Sequence, residues 1–324
     1  MRNINVVFLV FLLLISLIGT GQAFEKVGTT SFQFLKVITE ARSTAMGEAY
    51  VAVASGADAI YYNPAGLTRV QKLDATLSYL DYFLDVRHSA FAAAYNLGLW
   101  GVIGVHGLVT DVGEIEVTRV ENLGFIGEVY NPGLTGETIS PSSMVFGISY
   151  ARNMTDKFAF GLTAKYARED LVMESEGAVI FDMGLNYRTG FRSLNIGASL
   201  RNFGREIKFI DEGYPLPQTM SVGIAGYLIG NGEHLLAASE NQNLLISFEL
   251  VQPRDYDQQY NLGIEYGFHN NAFIRFGYKF NYDEESFTGG FGLSWKNYRL
   301  DYSYCDFGEY LDSLHRFTFG FRLQ

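Results

Sequence analysis

The sequence predicts an all-β protein, a transmembrane antiparallel β-barrel of about fourteen strands with an N-terminal hatch, or plug, in its lumen. Three observations predict it. Apolar and polar residues alternate with a period of two through most of the chain. The polar phase is small and glycine-rich, with 35 glycines against 6 prolines in 324 residues. The last segment is aromatic at every second position, at Phe317, Phe319 and Phe321.

The chain opens with a leader. Arg2 is a basic start, Val6 to Ile18 is almost wholly apolar, and Gly21 and Ala23 form a small-x-small cleavage pattern. Residues 1–23 are therefore expected to be removed as a signal peptide, with Phe24 near the new N-terminus. The leader has no cysteine at its end, so no lipoprotein is expected.

Residues 24–70 do not alternate cleanly and are expected to form the hatch. The stretch ARSTAMGEAYVAVASGADAIYYNPAGL, residues 41–67, is rich in Ala and Gly. Small residues let one backbone approach another closely, as a segment packed inside a lumen requires. Asn63 reads as a helix N-cap and Pro64 as the first helical residue, where a missing N–H costs nothing. Ala65 to Arg69 then forms a short helical turn ahead of a first strand at Leu73. Arg42, if buried, needs a carboxylate, and Glu265 and Asp301 are candidates. On residue chemistry alone an ordinary surface turn before a strand explains this stretch equally well.

Residues 71–324 are expected to be the barrel. Ser89 to Thr110 has no charge and is long enough for a membrane helix, but Asn96, Gly98, Gly101, Gly104 and Gly107 favour a hairpin. Met144, Phe146, Ile148 and Tyr150 alternate, as do Phe158, Phe160 and Leu162. Val179 to Tyr187 lies opposite Asp182 and Arg188, and Leu194 to Leu200 opposite Asn195 and Arg201. In the last third the apolar phase opposes Glu265, Arg275, Lys279, Arg299, Asp301, Arg316 and Arg322. Three of these strands carry two charges each, and both always keep one phase, so these charges are expected to face the lumen. A soluble sandwich alternates too. The small polar phase and the aromatic end favour the barrel.

Connections are expected to be long at one end, Asp111 to Ser142 and Asn202 to Pro217, and short at the other, as at His269 to Asn271. Leu228 to Asn243 is long where a short turn is expected, and a strand miscounted there would account for it. Tyr130-Asn131-Pro132 echoes Tyr62-Asn63-Pro64 and reads as a shared turn signal.

Whole function classes are excluded by composition. The net charge is −11, and −12 once the leader is removed, so there is no basic footprint for nucleic acid. Cys305 is the only cysteine, which rules out an intrachain disulfide. The five histidines are scattered, so no metal site and no cofactor are expected. No G-x-S-x-G elbow, G-x-G-x-x-G or Walker A run occurs. The protein is not expected to be an enzyme.

Ala41-Arg42-Ser43 with Ala45-Met46-Gly47, followed by Asp58 and Tyr62-Asn63-Pro64-Ala65-Gly66-Leu67, resembles the N-terminal hatch of FadL-type outer-membrane proteins. The closest resemblance is to their PorV/PorQ branch, whose last strands match NLGIEYGFHNNAFIRFGYKF and FTGGFGLSW in type and order. The resemblance implies residence in the outer membrane of a Gram-negative-type bacterium, among its lipids. It implies a hatch or gating role for Arg42, Met46, Gly47, Asp58, Tyr62, Asn63, Pro64 and Ala65. It also implies work in type IX-like secretion or surface assembly, with a translocon or cargo proteins as partners. The wider family implies the alternative of a channel for hydrophobic small molecules such as long-chain fatty acids. Such channels open sideways at a strand kink, which Gly98, Gly101 and Gly104 would supply here.

Overall fold

The computed structural model describes residues 28–308 and 312–323; the expected leader lies outside them. Fourteen strands run up and down. They are β1 Leu73–Asp81, β2 Arg87–Asn96, β3 Val102–Asp111, β4 Ser142–Asn153, β5 Phe158–Asp170, β6 Ser175–Arg188 and β7 Asn195–Gly204. They continue as β8 Thr219–Gly230, β9 Gln242–Pro253, β10 Gln259–Phe268, β11 Ala272–Phe280, β12 Phe287–Trp295, β13 Tyr298–Cys305 and β14 Leu314–Leu323. Each pairs antiparallel with its neighbours, β7 with β8 included. The first strand closes on the last in unbroken register from Leu73↔Leu323 to Asp81↔His315. Closure leaves no edge, which lipid demands because it offers unpaired backbone groups no hydrogen bonds.

Alternation decides which way each side chain points. On β4, Met144, Phe146 and Ile148 are outside and about half exposed, while Ser143 and Ser149 are buried inside. On β11, Ile274, Phe276 and Tyr278 are outside, and Arg275 and Lys279 are buried inside. The oily face thus points away from the bore, where only a bilayer satisfies it.

The window Ser89 to Thr110 is a hairpin, as its turn residues require. The expected kink is not where the glycines predict it. Gly98 and Gly101 lie in the tight turn between β2 and β3, at φ +66° and +91°. Gly104 sits in β3, whose register is continuous with both neighbours. The wall is irregular elsewhere: between β6 and β7 at Phe181/Met183, and between β8 and β9 at Tyr227/Ile229.

Long connections gather at one end. Asp111 to Ser142 is a projecting hairpin, Ile115–Ile126 against Val129–Ile139, where a loop was expected. Asn131-Pro132 falls inside its second arm, with the Asn131 side chain accepting hydrogen bonds from the N–H groups of Gly133 and Leu134. The local turn chemistry is therefore present inside a paired ribbon: Asn131 and Pro132 oppose Gly124 and Leu123, and the register shifts just beyond them, on an edge strand where proline is tolerated. No strand is miscounted between Leu228 and Asn243. After Gly230 the chain loops over the short-turn end, where Ala237–Ala238 pairs parallel with Ile229–Gly230.

Residues 30–70 run through the bore. A 3-10 turn Gln33–Lys36, an α-helical turn Ala41–Ala45 and two more 3-10 turns, Ala57–Tyr61 and Pro64–Arg69, make up the segment. Its start, at Phe32 and Phe34, clusters with Ile207 and Leu216 of a long-end connection. The helical turn lies against β11, β12, β13 and β14, and the last 3-10 turn against β3 to β6.

Candidate functional site

Bare backbone on the wall makes room for bare backbone on the segment. A Cβ on Gly277 would fall 2.0 Å from the Gly47 nitrogen, and one on Gly184 would fall 2.0 Å from Asn63 Oδ1. These contacts explain the glycine-rich inward phase of the sequence: the lumen is lined by backbone because another backbone fills it.

Ions hold the segment at its centre. Arg42 donates from Nε to Glu265 Oε2 at 2.8 Å and from Nη2 to Glu265 Oε1 at 2.9 Å. Arg275 donates from Nε to the same Oε2 at 2.6 Å and from Nη1 to Asp301 Oδ1 at 2.7 Å. Arg299 Nε lies 2.7 Å from Asp301 Oδ2, and its Nη2 donates to Asp58. The result is one relay of alternating sign: Arg42, Glu265, Arg275, Asp301, Arg299, Asp58. Its two ends belong to the segment, and its middle four members to β10, β11 and β13. Three guanidinium groups meet three carboxyl groups, and each carboxyl has a cation within contact distance.

Local sequence sets this geometry. Glu265 and Arg275 are direct cross-strand partners. Arg275 must then pass over β12 to reach Asp301. It does so at Gly292, where a Cβ would lie 2.4 Å from Asp301 Oδ1 and 2.7 Å from Arg275 Nη1. Burial pushes the Asp58 carboxyl up to about 7, while the Arg299 charge beside it pulls the other way. Burial likewise pushes the Tyr50 hydroxyl up to about 12.

The remaining segment residues named from sequence are placed as follows. Asn63 caps Pro64–Arg69, accepting from the Ala65 N–H at 3.1 Å, and its amide donates to Val51 O at 2.8 Å and Leu185 O at 2.9 Å. Pro64 and Ala65 abut Gly161. Met46 is buried against Gly263. The Gly47 N–H donates to Thr288 Oγ1 at 3.0 Å. Tyr62 shares a hydrogen bond with Ser43 and packs edge-on to Tyr50 at 5.2 Å.

The other wall charges also face inward. Asp182 is met by Lys165 at 2.6 Å. Arg201 donates to Tyr61 O at 3.0 Å, and Arg316 to Ile38 O at 2.9 Å. Lys279 bonds Glu48 at 2.7 Å and also Glu285. Arg322 meets Asp74 at 2.7 Å on the short-turn rim, where Arg188 is exposed at the mouth.

Sequence reasoning missed three members. Glu40, fully buried, caps Ala41–Ala45 by accepting from the N–H groups of Arg42 and Ser43. Glu249 accepts from the N–H groups of Tyr50 at 2.8 Å and Val51 at 2.7 Å. Gly292 is the third. Glu249 had a signal, as the one charged residue of its strand.

One cavity, of about 50 Å³, is lined by Phe34, Ile60, Tyr61 and His106 among others. Ligand sites for small molecules are commonly several-fold larger. Among the described residues no group of three His, Cys, Asp or Glu is placed to hold a metal ion.

Neither a protein-family model nor a curated protein matches this chain. Solved structures do. The Pseudomonas putida toluene transporter TodX is similar over 86% of this chain and 95% of that one, with a TM-score of 0.54 at 14% identity. A Pseudomonas aeruginosa FadL homologue is similar over 88% of this chain and 98% of that one, with a TM-score of 0.55 at 10% identity. The fold is that of the FadL-type barrels. At such identities the likeness is one of fold alone.

Proposed function

We propose that this chain is a non-enzymatic outer-membrane barrel of the PorV/PorQ type, which serves protein secretion or surface assembly by binding partner proteins. In this reading residues 1–23 are cleaved on export, residues 24–70 are a hatch, and residues 71–324 are the barrel in the outer membrane of a Gram-negative-type bacterium. The observation that carries it is the filled bore. A segment bonded to inward residues around the wall, among them Glu249, Glu265, Thr288, Arg299 and Arg316, favours a plugged scaffold over an open path. The hairpin Ile115–Ile139 adds a surface beyond the barrel for a partner to meet.

The test is affinity purification of the tagged chain from its own membranes, beside a clean deletion. Co-purification of a large translocon barrel, with cargo retained in the periplasm of the deletion strain, supports the reading. Normal secretion in that strain argues against it.

A second reading is favoured by the fold likeness to a toluene transporter. Here the segment is a gate for hydrophobic compounds, and substrate binding shifts Asn63 to Leu67 to open a path. Loss of toluene or long-chain fatty-acid uptake on deletion, with secretion intact, selects it over the first.

A further inference from the structure

The long connection at the short-turn end builds a second site. Arg192 donates to Leu235 O, and Ser193 Oγ donates to Tyr227 O at 3.0 Å, so the turn before β7 is tied both to the loop after β8 and to β8 itself. Arg192, Ser193 and Tyr227 help to line a vestibule of about 730 Å³. Its cations are Arg69, Lys157, Arg188 and Arg192, opposed only by Asp156 and Glu233. Four elements contribute them: the segment, the turn before β5, the end of β6 and the turn before β7. None of the four forms an ion pair among the described residues. In a chain of net charge −11, this vestibule holds four cations against two carboxylates, an excess of positive charge.

Arg69 is held rigidly. Its Nη1 donates to Val53 O at 2.9 Å and its Nη2 to Ala52 O at 3.2 Å, so the carbonyls orient its guanidinium without cancelling its charge. Lys157 lies over the turn at Gly190. Asn231, Asn243 and Asn270 add amides able to both donate and accept. Asn243 and Asn270 bond one another, at 2.5 Å, through one donor and one acceptor, which leaves the rest of each amide to a ligand; with converging positive charge this suits one that carries carboxylates along a peptide backbone.

We propose that this vestibule docks an acidic peptide segment of a partner, entering the bore from the short-turn side. Its lining selects the ligand class: it includes Arg69 of the segment, itself bonded to Val53 O, so the vestibule runs inward to the segment rather than along the lipid-facing wall. Its volume far exceeds one phosphate and fits several residues. The inference concerns the end of the barrel opposite the projecting hairpin and stands apart from the choice between secretion and transport.

The experiment uses the full-length protein in detergent and a fluorescein-labelled pentaglutamate peptide, read by fluorescence polarisation at low salt. Saturable binding is expected, weakening as salt rises. The paired variant Lys157→Gln/Arg188→Gln is expected to bind about tenfold more weakly or worse, with heat-modifiable gel mobility unchanged. Arg192→Gln alone is expected to give a smaller loss and serves if the pair does not fold. Absence of saturable binding, equal affinity in every variant, or full displacement by inorganic phosphate at the peptide's own concentration overturns the proposal.

Discussion

Arg42 and Glu265 lie 223 positions apart and meet through two parallel hydrogen bonds, at 2.8 and 2.9 Å, inside the barrel. Through that fork the N-terminal segment joins a relay that ends on its own Asp58, so the wall grips it at two points sixteen residues apart.

Cutting the fork leaves Glu265 with Arg275 alone. Arg42→Met is expected to cost about 3–5 kcal/mol of segment docking, since removing one partner strands a buried charge. Trypsin cleavage after Lys36 or Arg69 is the readout. It is expected to quicken in the variant, while the heat-modifiable mobility of the barrel stays as in the parent.

Gly277 tests backbone contact. Its Cβ would fall 2.0 Å from the Gly47 nitrogen, and neither backbone can yield easily. Gly277→Val is expected to displace the segment and raise conductance in planar bilayers. Gly289→Ala is the control, because its nearest neighbours would lie 3.7 Å away, and it is expected to conduct like the parent.

Gly292 tests the relay without touching the segment. Gly292→Ala sets a methyl 2.4 Å from Asp301 Oδ1 and is expected to cost about 1–3 kcal/mol in the trypsin assay, less than Arg42→Met.

The wall makes a separate prediction. Ile148, outside and near the middle of β4, becomes costly when charged. Ile148→Lys is expected to lose about 2–4 kcal/mol in urea unfolding from liposomes. Glu121→Lys, on the projecting hairpin, is expected to stay within about 0.5 kcal/mol of the parent.

Alternation carried most of the fold. Arg275 and Lys279, or Arg299 and Asp301, declare the wet face of their strands because a two-residue period admits one assignment once one face is oily. The Asn63–Pro64 cap was legible because its chemistry is local. What stayed hidden depends on distance in space. Nothing near Gly292 in sequence says that an arginine from the strand before crosses it. Glu40 bonds backbone N–H groups, which no side-chain pattern announces. The hairpin Ile115–Ile139 was read as loop because its glycines and Asn131-Pro132 carry turn signals, which a bulged, solvent-exposed ribbon also tolerates. The kink was misplaced for a related reason: Gly98 and Gly101 serve a turn, and Gly104 serves close packing with Ile60.

Conductance across a planar bilayer tests the filled bore most directly. The intact protein is expected to stay electrically silent, and a chain lacking residues 28–70 to conduct as an open pore of fourteen strands. Steady conduction by the intact protein at the level of the truncated one would contradict the account.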